Sequence, residues 1–229
     1  MTKNWSIEIP EELIVESNYY LVNGKKYWRV TRVKSIINQP GLNLWRARVG
    51  DKESRRIMKV RSEYGSRFHK LAELLVQDKP ISGDYSEEMK ADIESFIKFK
   101  TNCVVETEAV EQKLISNILG VAGTADIIMR YKSCNRFLKK KTESKFDKPS
   151  LVIGDWKTAT AIFDEYWLQI AAYAFIFEEL TGVEVDGGVI AQFRDGKIHV
   201  EEKTKEELKC YFEAFKNCIE LFIFEQEGC

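Results

Sequence analysis

The sequence predicts an α/β protein of the mixed (α+β) type, in which helices flank a central mixed β-sheet. Helical periodicity dominates the first half after a short N-terminal hairpin, and apolar strands of period two dominate the middle. The last third alternates between strand and helix signals. Elements of both types in this order bury their apolar faces best as one sheet covered by helices.

The bulk composition predicts one globular domain. The chain has 229 residues, of which 44% are hydrophobic and 31% charged, so we expect a sizeable core. We divide it into an N-terminal lead and hairpin (1–43), a core (44–203) and a C-terminal helix (204–229). No apolar run approaches the ~20 residues of a membrane span, and no signal pattern opens the chain. We therefore expect a cytoplasmic protein that binds no membrane.

A β-hairpin is predicted near the N-terminus. Two runs rich in aromatic and β-branched residues, 17–22 and 26–33, lie on either side of Asn23-Gly24, which is a strong signal for a two-residue turn. Residues 38–43 contain Pro and Gly, and this pair predicts a break in the chain. We expect the helices to begin after that break.

Two helices are predicted next. Residues 44–78 are rich in Arg, Lys, Glu and Leu and contain no proline. A second helix starts after Ser86, whose hydroxyl is a suitable N-cap. The apolar residues that recur at helical spacing in this second helix, and that we expect to be buried on one face, are Met89, Ile93, Phe96 and Ile97.

The remaining elements carry shorter signals. Alternating or apolar runs predict strands, Gly182 is expected to stop an amphipathic helix, and Asp195-Gly196 is expected to turn a strand pair. The predicted strands are 102–116, 121–131, 151–157, 185–194 and 197–202, and the predicted helices are 164–182 and 204–224.

The segment LVIGDWKT places an acid and a base on one face of a strand. Alternate residues of a strand share a face, so Asp155 and Lys157 are neighbours. The carboxylate suits a divalent cation, and the ammonium suits a water or a phosphate oxygen. A strand that simply runs into solvent and ends in ordinary charges is the alternative.

Asp126 strengthens the first interpretation, because it lies among Ala125, Ile127 and Ile128 on the preceding strand. A carboxylate in such apolar surroundings needs a partner, either a cation or a buried Arg. If this strand pairs with that of Asp155, the two carboxylates can converge on one metal ion. Phosphodiester hydrolysis uses such an arrangement.

Two helices add polar candidates. His69 lies in the first predicted helix with Glu73 one turn later. Gln169 and Tyr173 lie one turn apart in the helix after the Asp155 strand, where they can hold the lysine, a phosphate or a base. A structural histidine, a core tyrosine and a glutamine at its edge are the alternatives.

This ordered set resembles the PD-(D/E)xK nuclease superfamily. Within it, the chain is similar to RecB-like exonucleases, the branch that includes mitochondrial genome maintenance exonucleases and phage or prophage exonucleases. The similarity covers roughly residues 27–200, including the lead-in YWRVTRVKSIINQPGLNLWRARVG. Each motif is short, and the order of five motifs makes the resemblance specific.

The resemblance implies a restriction-endonuclease-like core, a Mg2+ or Mn2+ cofactor and DNA as partner, alone or within a larger recombination or repair complex. The implied roles are metal ligands at His69, Asp126, Asp155 and the Trp156 backbone carbonyl, a catalytic lysine at Lys157, substrate positioning by Gln169 and Tyr173, and a further catalytic acid at Glu111, for which Glu108 is the competing candidate. Some relatives carry an iron–sulfur cluster. The five cysteines here are widely spaced and contain no CxxC pair, so we expect no cluster.

The gap between Asp126 and Asp155 is longer than usual for this branch, because a lysine-rich insert lies between them. Its Lys139, Lys140 and Lys141 are possible DNA contacts, since lysines neutralise phosphates, although a solvated loop is the alternative. The formal net charge of −1 gives no general sign of a nucleic-acid partner.

We therefore expect a metal-dependent DNA exonuclease that acts on single-stranded or free-ended DNA. A structure-specific or restriction-type endonuclease with the same site is the nearest alternative. A non-catalytic DNA-binding protein on a nuclease fold, and a hydrolase of small phosphate esters, are the alternatives of another class.

Overall fold

In the part of the chain that the structure describes, a mixed sheet of eight strands with six α-helices around it forms the centre of the protein, which confirms the predicted fold class. The computed structural model describes residues 5, 7, 10, 12–138 and 144–228. Lys139, Lys140 and Lys141 lie outside the described residues, so their proposed contact with DNA stays a prediction.

The strands are β1 (Leu13–Val15), β2 (Tyr19–Val22), β3 (Lys25–Arg29), β4 (Val104–Ser116), β5 (Val121–Tyr131), β6 (Ser150–Lys157), β7 (Gly187–Arg194) and β8 (Lys197–Thr204). The helices are α1 (Val30–Val33), α2 (Pro40–Val49), α3 (Asp51–Val76), α4 (Glu87–Cys103), α5 (Asp164–Thr181) and α6 (Lys205–Glu227), and a 3-10 turn covers Lys34–Ile36.

The sheet has a fork on one edge of β5. Strand β4 runs antiparallel to β5 along its whole length, so β3 and β6 share the opposite edge. There β3 pairs with β5 at Val121 and Ala122, whereas β6 pairs with it only between Ile127 and Tyr131. Beyond Gly154, β6 leaves β5 and continues beside β7. The last residues of β6 therefore diverge from β5, which leaves room for side chains between the two strands.

Two apolar cores cover the two faces of the sheet. Helices α1, α5 and α6 pack on one face, where Leu151 and Ile153 of β6 contribute to the core. Helices α3 and α4 pack on the other, around Val152 and Trp156. The alternation predicted for β6 is thus confirmed.

Several predicted end points are confirmed. Asn23 and Gly24 turn the β2–β3 hairpin with positive φ angles, as the sequence indicates. The hydroxyl of Ser86 accepts a hydrogen bond from the Met89 amide and caps α4. Gly182 ends α5 in the left-handed conformation. Among the described residues, no helix is long and apolar enough to cross a membrane.

Three local predictions are wrong. The second hairpin strand ends at Arg29, because the β-branched run that follows forms α1 under tertiary packing. Pro40 does not interrupt the chain but begins α2, where its missing N–H is unpaired in any helix. In α4, Ile97 is 43% exposed, and Phe99 takes the predicted place in the core.

Candidate active site

Asp126 and Asp155 lie on the two arms of the fork. Asp126 is on β5 just before the paired segment, and Asp155 is on β6 just after it. The backbone N–H of Trp156 donates a hydrogen bond of 2.9 Å to Oδ2 of Asp126, which ties the two arms together. The pairing of β5 with β6 therefore places the two carboxylates near enough for their charges to interact, and their convergence on one metal ion stays a prediction.

His69 and Glu111 complete a cluster around Asp126. One ligand atom from each of these three residues lies within 4.8 Å of the others. Nδ1 of His69 is 3.3 Å from Oδ2 of Asp126. Glu111 lies in β4 with a φ of +49°, a left-handed backbone that costs a non-glycine residue about 1–2 kcal/mol. The fold keeps this unfavourable backbone at the residue whose carboxylate joins the cluster.

Asp155, Lys157 and the polar residues of α5 form the second half of the site. The Lys157 ammonium is in ion-pair contact with Oδ2 of Asp155. Nε2 of Gln169 donates to Oδ1 of Asp155 at 3.3 Å, and its contact with the Tyr173 hydroxyl is 3.5 Å. Asp155, Gln169 and Tyr173 are all buried. The predicted one-turn spacing of the two α5 residues thus places both in the site.

The charges of the site shift each other's pKa values. Burial raises the pKa of Asp126, but the opposing charge and hydrogen bond of His69 outweigh it and hold the pKa below its usual range. For Asp155, burial outweighs the Lys157 charge, and the pKa is raised. Burial lowers the pKa of Lys157, but the charges of Asp155 and Asp126 outweigh it and leave the pKa raised. The lysine therefore keeps its positive charge next to the two acids.

Glu111 titrates near neutral pH. Partial desolvation and then the negative charge of Asp126 raise its pKa to about 7. Burial lowers the pKa of His69. The charge of Asp126 and its hydrogen bond with His69 outweigh the effect of burial, so the pKa of His69 is raised overall. A cation next to Glu111 would oppose the shift of the Glu111 pKa and favour the ionised carboxylate.

The raised pKa of Glu111 predicts how stability depends on pH in metal-free protein. The pKa of Glu111 is raised from 4.5 to about 7 in the folded state, so the unfolded chain loses this proton first. The free energy of unfolding should therefore fall, relative to that of Glu111→Gln, as the pH rises from 4.5 to 7. Urea unfolding in EDTA measures the difference, with Glu106→Gln on the same strand as the control. If the free energy of unfolding of the wild type, relative to that of Glu111→Gln, stays constant or rises over this pH range, the raised pKa of Glu111 is contradicted.

The absence of a side chain at Gly123 allows the Tyr173 ring to pack against β5. A Cβ at this position would lie 2.5 Å from both Cε1 and the hydroxyl oxygen of the Tyr173 ring. The ring is buried in the core next to the fork and cannot swing into solvent. The close approach of β5 and α5 therefore requires a glycine here.

Gly123→Ala should consequently damage both folding and the site. Overpacking of this kind costs roughly 1–3 kcal/mol, and the displaced Tyr173 no longer supports Gln169. The control is Gly41→Ala, because nothing lies within 4 Å of that added Cβ. Urea unfolding of both variants measures the effect, and a Gly123→Ala protein as stable as the Gly41→Ala protein would refute it.

Other predicted site residues have different surroundings. Glu108 is buried and accepts a hydrogen bond of 3.0 Å from Nε of Arg130, so the structure brings Glu111, not Glu108, to the cluster. Trp156 contacts Asp126 through its amide, and a role for its carbonyl stays a prediction. Glu73 affects the site only as a nearby negative charge that raises the pKa of Glu111, after larger contributions from other groups.

Sequence reasoning missed two residues next to Lys157. The ring of Tyr166 has the Lys157 ammonium 4.9 Å from its centroid, and the Lys34 ammonium at the same distance. Tyr166 precedes Gln169 by three residues and Tyr173 by seven, and this helical spacing is the signal that places it on their face. Lys34 has no comparable signal, since it lies more than a hundred residues before Lys157 in the sequence.

The residues present fit a divalent cation. Carboxylate oxygens with one imidazole are a ligand set that hard and borderline divalent metals accept. Apart from its ion pair with Lys157, the buried Oδ2 of Asp155 has no hydrogen-bond partner among the described residues. The φ of Glu111 and the mutual crowding of the acids are further features that a cation at this place would explain.

In comparisons with known proteins, no family model matches the chain, and no curated protein matches it.

Proposed function

We propose that the protein is a metal-dependent DNA exonuclease. The observation that carries this proposal is the convergence of Asp126, Asp155 and the Lys157 ammonium at the fork, with His69 and Glu111 beside them. A carboxylate cluster next to a part-buried, charged lysine suits the cleavage of a phosphodiester, where negative charge develops on oxygen. The resemblance of the ordered motifs to RecB-like nucleases supports the same reaction.

Each residue has a distinct task in this proposal. His69, Glu111, Asp126 and Asp155 hold Mg2+ or Mn2+. When bound, the cation neutralises the scissile phosphate and acidifies a water. The Lys157 ammonium stabilises charge on the phosphate oxygens. Gln169 orients Asp155 by its hydrogen bond, and Tyr173 lies against Gln169 in the buried layer below.

A basic arm supports a polymeric substrate over a small phosphate ester. We define the arm as residues 40–61, which comprise α2 and the first part of α3 and hold seven Lys and Arg against two acids, a net charge of +5. No residue of α2 is buried. Arg55 precedes His69 by fourteen residues of α3, about 21 Å along a helix at 1.5 Å per residue. Basic residues this far from the cluster can bind further phosphates along a nucleic-acid backbone. A small phosphate ester bound at the cluster would not reach them.

A cleavage assay on linear and circular DNA tests the proposal. We expect the protein to degrade a linear single-stranded oligonucleotide with Mg2+ or Mn2+ and to leave it intact in EDTA. A covalently closed single-stranded circle should survive, because the proposed enzyme needs a free end. Cutting of the circle overturns the exonuclease assignment in favour of an endonuclease. No cleavage of either DNA overturns the nuclease proposal itself.

A further inference from the structure

An exposed aromatic corner lies next to the proposed site. We define the corner as Lys34, Phe163 and Tyr166. Phe163 is the N-cap residue of α5, and its ring is packed edge-to-face on that of Tyr166 with 5.7 Å between centroids. The Phe163 side chain is nevertheless 43% exposed. Tyr166 in turn contacts the ammonium groups of both Lys34 and Lys157 with its ring. The corner thus continues directly from the Lys157 end of the site to the surface.

Lys34 brings a positive charge to the corner. Among the ion pairs of the described residues, none includes Lys34. Outside the site, Glu165 is an acid whose charge acts on Lys34, and its Oε1 accepts a hydrogen bond of 3.0 Å from Nε2 of Gln39. Burial and the charge of Lys157 lower the pKa of Lys34 to about 8, and the charges of Asp155 and Glu165 oppose that shift. A phosphate bound to the Lys34 ammonium would stabilise its charged form.

We propose that the aromatic corner is a subsite for one unpaired nucleotide, next to the phosphate that is cleaved. The base stacks on the exposed ring of Phe163, and Lys34 binds the phosphate that follows it. The Lys34 and Lys157 ammonium groups both lie 4.9 Å from the centroid of the Tyr166 ring, and each contacts a different phosphate. This inference rests on the proposed function, since it assigns a substrate class to the same site.

The chemistry of the corner favours single strands. Every base has a flat face that stacks on an aromatic ring, and such stacking does not depend on sequence. In a duplex both faces of an internal base are already covered by its neighbours. A base must therefore be unpaired and unstacked to reach Phe163. The subsite should raise the affinity for single-stranded DNA and leave that for blunt duplex DNA unchanged.

Steady-state cleavage of a single-stranded oligonucleotide, with its blunt duplex as the comparison, tests the subsite. Phe163→Ala should raise KM for the single strand roughly 5- to 100-fold, as expected for the loss of one stacked base, with kcat nearly unchanged. Phe163→Tyr should restore the wild-type KM. Lys34→Met should also raise KM, and Lys34→Arg should largely restore it. The control is Phe224→Ala, since Phe224 is an exposed aromatic residue (58%) on α6.

An abasic oligonucleotide shows whether Phe163 contacts a base. Removal of the base next to the scissile phosphate should raise KM for the wild type and not for Phe163→Ala. If Phe163→Ala leaves KM unchanged, or raises it equally for single strand and duplex, the subsite is refuted although the nuclease proposal stands. If the wild type cleaves neither DNA, the proposed function fails first. Melting temperatures of all variants exclude misfolding as the cause of a loss.

Discussion

Lys157→Met should lower the rate constant of DNA cleavage by about two to three orders of magnitude. The ammonium is in ion-pair contact with Asp155, and its raised pKa keeps it charged at neutral pH. A single donor that stabilises developing oxyanion charge contributes a factor of about 10² to 10³ in comparable sites. Single-turnover cleavage of a linear oligonucleotide with saturating Mn2+ measures the rate constant directly.

Two further variants show whether this loss is specific. Lys157→Arg keeps a positive charge next to Asp155, so it separates the loss of rate from a loss of folding stability. The control is Lys205→Met, which removes a lysine paired with Glu178 at a part-exposed place. DNA affinity in EDTA should differ little between Lys157→Met and the wild type. Cleavage by Lys157→Met at the wild-type rate contradicts the assigned role.

Asp126→Asn should remove most of the stabilisation of the fold by divalent cations. Mn2+ that binds only the folded wild type should raise its free energy of unfolding by about 2.7 kcal/mol at a concentration of 100 Kd. Asparagine has the same shape and still accepts the hydrogen bond of the Trp156 amide, but it carries no charge. We expect the affinity for Mn2+ to fall on the order of 100-fold, since even changes to groups around a metal's ligands cost 10- to 100-fold.

Urea unfolding with Mn2+ and with EDTA measures this difference. The control is Asp195→Asn, at a turn where the positive φ suits asparagine as well as aspartate. The wild type and this control should gain the same free energy from Mn2+. If Asp126→Asn gains as much as they do, the cation binds elsewhere and the site is wrongly assigned.

Much of the site was predictable because local signals coincided with the fold. Apolar runs predicted β5 and β6, and the pairing of these strands brings Asp126 and Asp155 together. The one-turn spacing of Gln169 and Tyr173 was enough to place both side chains on the inner face of α5. In these cases a period of two or of 3.6 residues determines where the side chain points, and no long-range information is needed.

The rest depends on tertiary contacts that no local pattern encodes. The choice of Glu111 over Glu108 follows from the paired register of β4 and from the positive φ of Glu111. Lys34 reaches the site because the 3-10 turn after α1 packs against α5. Pro40 begins a helix although Pro-Gly is typical of a break. Each of these depends on the arrangement of elements that are far apart in sequence.

The most direct test of the central claim is a crystal structure with Mn2+ and an oligonucleotide made resistant to cleavage by phosphorothioate linkages. We expect an anomalous Mn2+ peak within about 2.0–2.6 Å of carboxylate oxygens of Glu111, Asp126 and Asp155, beside the imidazole of His69, with a phosphate within hydrogen-bond distance of the Lys157 ammonium. A Mn2+ peak elsewhere, or a phosphate bound away from Lys157, would contradict the central claim.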